Sequence, residues 1–189
     1  MVRAKVVDRD LGWRAMLKAV DSLAGGSYAK VGVLADDSKG GAETDGGLTV
    51  AELATVLEFG TDDGRIPSRP FLRDTFDEKR DELKQNASAL LFKILDGKQS
   101  VGGALNILGM KLASETKKTI TTGEGVPPPN APSTIERKSV EKTRILKSGW
   151  KKSTLTLNSR PLVDTGRLLN AITWSVEMSN TARALSGGE

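Results

Sequence analysis

Any chemistry in this chain would run without its commonest agents. Its 189 residues include no histidine and no cysteine. That removes the usual general base, the usual metal ligands, the thiolate nucleophile and any disulfide. Carboxylates, Lys, Ser/Thr and a single Tyr remain. The carboxylates pair at Asp36/Asp37 and at Asp62/Asp63, both in loop-like sequence. Adjacent acids in a loop diverge into solvent, which is not the opposed geometry of a general acid and base. Residues 36–45 carry the right atoms for calcium but lack the EF-hand spacing. The glycine pairs at 40–41 and 46–47 are followed by no GKS or GKT and lie among acids, so a phosphate-cradling loop is set aside. A GxSxG nucleophile motif is absent. Lys117 and Lys118 suit a helix C-terminus, where cations are favoured, better than a phosphate site. No catalytic, cofactor-binding or metal-binding residue is assigned, and a hydrolase working through carboxylates is the weakest reading.

Charge is unevenly spread. Residues 1–95 hold 14 basic and 16 acidic side chains, whereas 96–189 hold 14 and 8. Most of the excess lies between 137 and 152, in Arg137, Lys138, Lys142, Arg144, Lys147, Lys151 and Lys152, with Glu141 the one acid. One reading is a solvated, mobile loop. The other is contact with DNA phosphates or an acidic partner protein. Trp150, inside this stretch, either stacks on a single strand or anchors the loop to the core.

The elements that position these residues follow from periodicity. Residues 10–24 read as an amphipathic helix with Trp13, Met16, Leu17, Val20 and Leu23 on one face and Asp8 or Asp10 as cap. Residues 28–35 read as a strand, and 36–47 as a long mobile loop. Thr49 and Glu52 have capping-box spacing for a helix to Phe59, and Gly60 falls where a left-handed residue is needed. Pro67 and Pro70 fix the exit of the next turn.

A long helix is expected over 71–95, its buried stripe marked by Leu72, Phe76, Leu83, Ala87, Leu90, Leu91 and Ile94. Asp96-Gly97 breaks it, and a second helix over 101–120 completes an αα-hairpin. Residues 121–132 hold four of the seven prolines and read as an extended linker. A short helix from Ser133, a strand at 154–157, a helix capped by Asp164 through Ala171 and a strand over 172–178 follow. The tail, 179–189, reads as disordered. The class is α+β: a small antiparallel or mixed sheet packed with a long-helix hairpin, one domain over 1–178, with a basic insertion at 137–160. Apolar runs are too short for a membrane span, and the N-terminus lacks a secretory apolar region.

Three strings resemble the virion morphogenesis and tail-completion family of Mu-like and lambdoid-type tailed phages. They are Glu58-Phe59-Gly60 followed by IPSRPFLR at 66–73, PNAPSTIERK at 129–138, and PLVDTGRLLNAI at 161–172. Their order and spacing also fit, and the resemblance covers roughly 50–176. Ala171 stands where Ser is common in the family. The 36–47 loop and the basic insertion depart from the family pattern.

The resemblance implies a non-enzymatic structural protein of the virion, at the neck or tail end, assembled in the host cytoplasm. Its implied partners are copies of itself in a ring of six or twelve, and head-closure, connector, tail-terminator or tail-tube proteins, with DNA in the channel and no membrane. Arg69, Phe71, Arg73, Asp164, Gly166 and Arg167 are the matching residues. Asp164 would cap a helix with Gly166 in its tight first turn. Arg69 and Arg73 either pair with acids of a neighbouring subunit or set shape within the chain. The rival reading is a DNA-binding module using 137–152.

Overall fold

The structure, a computed structural model, describes residues 12–44, 46–122, 132, 140–145, 151–156, 162 and 166–179. The described elements are α1 (Trp13–Ala24), β1 (Tyr28–Val33), α2 (Val50–Phe59), α3 (Phe71–Leu95), α4 (Val101–Thr122), β2 (Val140–Ile145), β3 (Lys151–Thr156), α5 (Arg167–Ala171) and β4 (Ile172–Glu177). The α+β class holds. The strands form two separate two-stranded sheets, β1 with β4 and β2 with β3, where one small sheet was expected. Thr121 and Thr122, expected to open the linker, instead end α4; residues 123–131, the helix expected from Ser133 and the tail beyond Ser179 lie outside the described residues.

Contacts cluster into two units. The first comprises α1, most of β1, the 79–111 stretch of the helical hairpin and the end of β4. Its apolar centre is Leu90 and Ile94 of α3 against Val101 and Ala104 of α4, with Ala19, Leu105 and Leu108 packed on them. The turn between the helices is a Schellman motif. Gly97, at φ 69°, sends its amide to the Ile94 carbonyl, and the Lys98 amide reaches Lys93. Lys111 of α4 pairs with Glu82 of α3 at 2.7 Å.

β4 approaches α4 unusually closely in this unit. A Cβ on Gly102 would sit 3.2 Å from the Met178 sulfur, and one on Gly109 would sit 2.9 Å from the Trp174 ring. These glycines are seven apart, on one stripe of α4, and they seat Trp174 of the strand and Met178 just after it. The Trp174 indole N–H donates to Asn106 Oδ1 beside them.

The apolar face read along α1 is largely exposed. Trp13, Leu17, Val20 and Leu23 are exposed, Trp13 by 62%. α1 instead meets the core through Ala19, a small residue that permits close approach, so the bulky stripe faces away. It starts after Gly12, with no side-chain cap; Asp8 and Asp10 lie outside the described residues.

The second unit holds α2, α5, the first turns of α3, the last turns of α4 and the β2–β3 hairpin. Phe71, Thr75, Thr116, Ile120, Val50 and Ile172 are its largest fully buried side chains. The two threonines are tolerated there because each hydroxyl donates to the carbonyl four residues back, Thr75 to Phe71 and Thr116 to Leu112. Thr75 also shares a 2.9 Å hydrogen bond with Thr119 of α4.

The expected stripe of α3 holds at the buried Leu90 and Ile94, with Leu72, Leu83 and Ala87 half-buried, and fails at two positions. Phe76 and Leu91, one residue on from the buried Thr75 and Leu90, are exposed, because one step turns a helix by about 100°.

The 36–47 segment is not a structureless loop. Its carbonyls at Gly40 and Ala42 accept the amides of Ala51 and Val50. The capping box supplies the other two donors: the Thr49 amide reaches the Glu52 carboxylate at 2.8 Å, and the Glu52 amide reaches the Thr49 hydroxyl at 3.2 Å. All four N-terminal donors of α2 are thus satisfied.

Candidate functional site

The junction between α2 and α3 is the most constrained polar site. α3 begins after Pro70, which offers neither an amide nor a capping side chain. Its donors are met from elsewhere. The Phe71 amide donates to the Arg69 carbonyl at 2.7 Å. The amides of Leu72 and Arg73 donate to the two carboxylate oxygens of Glu58, at 3.0 and 3.1 Å. Glu58, the penultimate residue of α2, is buried, and its carboxylate also accepts from Arg73 Nε at 3.2 Å. One anion therefore closes the N-terminus of a second helix, where the helix dipole favours it.

The rest of the turn supports that carboxylate. Gly60 adopts φ 79°, ψ −177°, a region only glycine enters readily, and a Cβ there would lie 2.8 Å from the Ser68 amide nitrogen. Positive φ was expected at this position; the extended ψ departs from the left-handed helical value. The Ser68 hydroxyl donates to the Glu58 carbonyl at 2.8 Å, and the Arg69 amide to Leu57.

Asp63 ties the loop tip, accepting from the Thr61 hydroxyl at 2.6 Å and the Arg65 amide at 3.1 Å. The Thr61 hydroxyl bond, then the Arg65 amide, hold its carboxyl below the usual range. Its neighbour Asp62 makes no described bond to it.

The matching residues of the first string are thus placed. Arg69 is buried, and that burial pushes its guanidinium below its ordinary value. Phe71 is wholly buried and acts from the core. Arg73 is engaged within the chain: beyond its bond to Glu58, its guanidinium lies 4.9 Å from the Phe59 ring.

In the third string, Gly166 takes φ 77° at the N-cap of α5, which carries no side-chain cap. Asp164, expected as the cap, lies outside the described residues. Arg167 donates to the Glu43 carbonyl at 3.4 Å. Leu168 and Ala171 bury the inner face of α5 against α2.

The described residues of the basic segment are paired strand rather than loop. β2 and β3 pair antiparallel from Val140↔Thr156 to Ile145↔Lys151, setting Arg144 opposite Lys152 and Lys142 opposite Thr154. Arg137, Lys138, Lys147 and Trp150 lie outside the described residues. Thr154–Thr156 belongs to β3, as the expected strand at 154–157 required; β2 was not foreseen, since its charged residues mask the alternation.

A cleft of about 360 Å³ in the first unit is lined by Lys18, Ser22, Ile94, Gln99, Gly102 and Met178. Among the described residues no group of three or more His, Cys, Asp or Glu is placed to hold a metal ion. None of the described helices is long and apolar enough to cross a membrane.

The junction at Glu58 was missed from the sequence, although a signal was present: a 25-residue helix opening on Pro-Phe without a capping residue must draw an acceptor from elsewhere. Comparison with protein-family models, curated proteins and solved structures finds no match to this chain.

Proposed function

We propose that this chain is a non-enzymatic structural protein of a phage virion, acting in tail completion or head–tail joining at the neck. It would self-assemble, in six or twelve copies, and dock to connector, tail-terminator or tail-tube proteins. The three strings at 58–73, 129–138 and 161–172 supply the family. The observation that carries the assembly role is α1. A helix that turns Trp13, Leu17, Val20 and Leu23 to the outside offers a contiguous apolar strip that a protein working alone rarely keeps. The strip is the surface offered to a neighbouring copy. Ring closure needs a second, different patch on each subunit, because ring interfaces are heterologous.

Native mass spectrometry across a concentration series, together with proteomics of purified virions, tests the reading. A defined oligomer and presence in particles are expected. A strict monomer absent from virions overturns it.

A further inference from the structure

Phe59 ends α2 and stays 64% exposed, although its neighbour Glu58 is buried. The Arg73 guanidinium lies over its ring at 4.9 Å, and the Arg73 side chain is itself more than half exposed. Arg73 holds Glu58 through Nε and Nη2, which leaves Nη1 without a bond. Phe76 follows Arg73 by three residues in α3, so the two are neighbours on one helix face, and Phe76 is also exposed. Phe59, Arg73 and Phe76 thus make one row, aromatic, cation, aromatic, within the second unit. Aromatic residues and Arg are the types that interface centres concentrate.

The border of the row is acidic. Asp62 follows Phe59 in the loop, Asp74 adjoins Arg73, and Asp77 adjoins Phe76; all three are exposed. Their carboxylates form no ion pair among the described residues. Against them stands Arg80, one turn beyond Phe76. The exposed strip of α1 has the opposite balance, with Arg14 and Lys18 beside Trp13 and Leu17, and Asp21 against them.

We propose that the Phe59–Arg73–Phe76 row is the seat for α1 of a second copy of this chain. Three features select this occupant. Both surfaces are apolar and exposed, and one contact between copies covers both. Their borders carry opposite net charge, which steers and orients the encounter. Trp13, the most exposed residue of the strip, brings an indole, the best ring for a guanidinium that already lies over one aromatic. The contact joins two different patches, so it is heterologous and each copy can engage two neighbours. It rests on the assembly reading above, for which it supplies the second patch.

A mixing experiment, read by size-exclusion chromatography with light scattering, tests it on the full chain. Leu17→Glu spoils the strip and Phe76→Glu spoils the row; each alone should weaken self-association by about tenfold or more, as loss of a central anchor does, with an unchanged urea midpoint. Mixed in equal amounts, the two should form a dimer of one chain of each kind and nothing larger. The first still offers an intact row and the second an intact strip, so one sound contact remains. An α1–α1 contact cannot be rescued this way, because every mixed pair would carry one altered helix. Phe92→Glu adds the same charge at an exposed site outside the row and should assemble as the unaltered chain does. A mixture that stays monomeric, a Phe76→Glu chain that assembles normally, or an equal loss in Phe92→Glu overturns the pairing, while an oligomer of the unaltered chain leaves the assembly reading standing. A strictly monomeric unaltered chain also overturns the pairing, and its presence in or absence from virions then decides the virion reading separately.

Discussion

Glu58 and Arg73 are joined twice: the Arg73 amide reaches Glu58 Oε1 at 3.1 Å, and its Nε reaches the same oxygen at 3.2 Å. The backbone bond closes α3, while the side-chain bond neutralises the buried anion that does so. Glu58→Ala removes the acceptor for two helix amides at once. It should cost about 1–3 kcal/mol, read as a lower urea midpoint. Glu58→Gln, which keeps one carbonyl oxygen, should cost less. Equal stability of the alanine variant would show that the carboxylate is dispensable.

Gly60 is constrained by both conformation and space. Gly60→Ala should cost about 2 kcal/mol, lowering Tm by about 4–8 °C. Gly47, also at positive φ but with no atom within 4 Å of a Cβ, is the comparison. Gly47→Ala should cost less, about 1 kcal/mol. Calorimetry of the two variants separates close approach from backbone strain.

Gly109→Ala tests the seat of Trp174. Alanine favours a helix by about 1 kcal/mol over glycine, so an isolated α4 would gain stability. Here the added methyl meets the indole, and a net loss of about 1–2 kcal/mol is expected. In a background with Trp13 and Trp150 replaced by Phe, the remaining emission should shift to the red as the ring moves outward.

Acid should weaken the fold through Glu52 and Asp63. The Thr49 amide, then its hydroxyl, hold the Glu52 carboxyl below its ordinary 4.5, and the Thr61 hydroxyl bond does the same for Asp63, ordinarily 3.8. Both folded values are depressed. Their stabilisation is therefore complete above the unfolded values and is lost as pH falls through the lowered ones. The difference in urea midpoint between the unaltered chain and Glu52→Gln/Asp63→Asn should be largest at neutral pH and shrink towards about pH 2.

Leu17→Glu on the exposed strip of α1 should leave the denaturation midpoint within about 0.5 kcal/mol of the unaltered chain, as exposed sites do. The same change should raise the concentration needed for self-association. Size-exclusion chromatography with light scattering checks both monomer integrity and oligomer loss.

The sequence by itself determined what neighbours along the chain decide. Thr49 and Glu52 are three residues apart, so their capping box could be read directly, as could the helix breaks at Gly60 and Gly97. Periodicity placed α3 at its observed bounds. What lay beyond it were relations between residues distant in sequence. Glu58 and Arg73 are 15 apart, and Asn106 and Trp174 are 68 apart. Periodicity also identified the apolar stripe of α1 but not its exposure, because a helix with both a small-residue side and a bulky side can dock by either. The tertiary structure decided for Ala19, since small side chains let backbones approach, and so left Trp13, Leu17, Val20 and Leu23 outward. In the same way, the pairing of β2 with β3 lay beyond the sequence, because a strand inside a run of charge is recognised only once a partner sets its register.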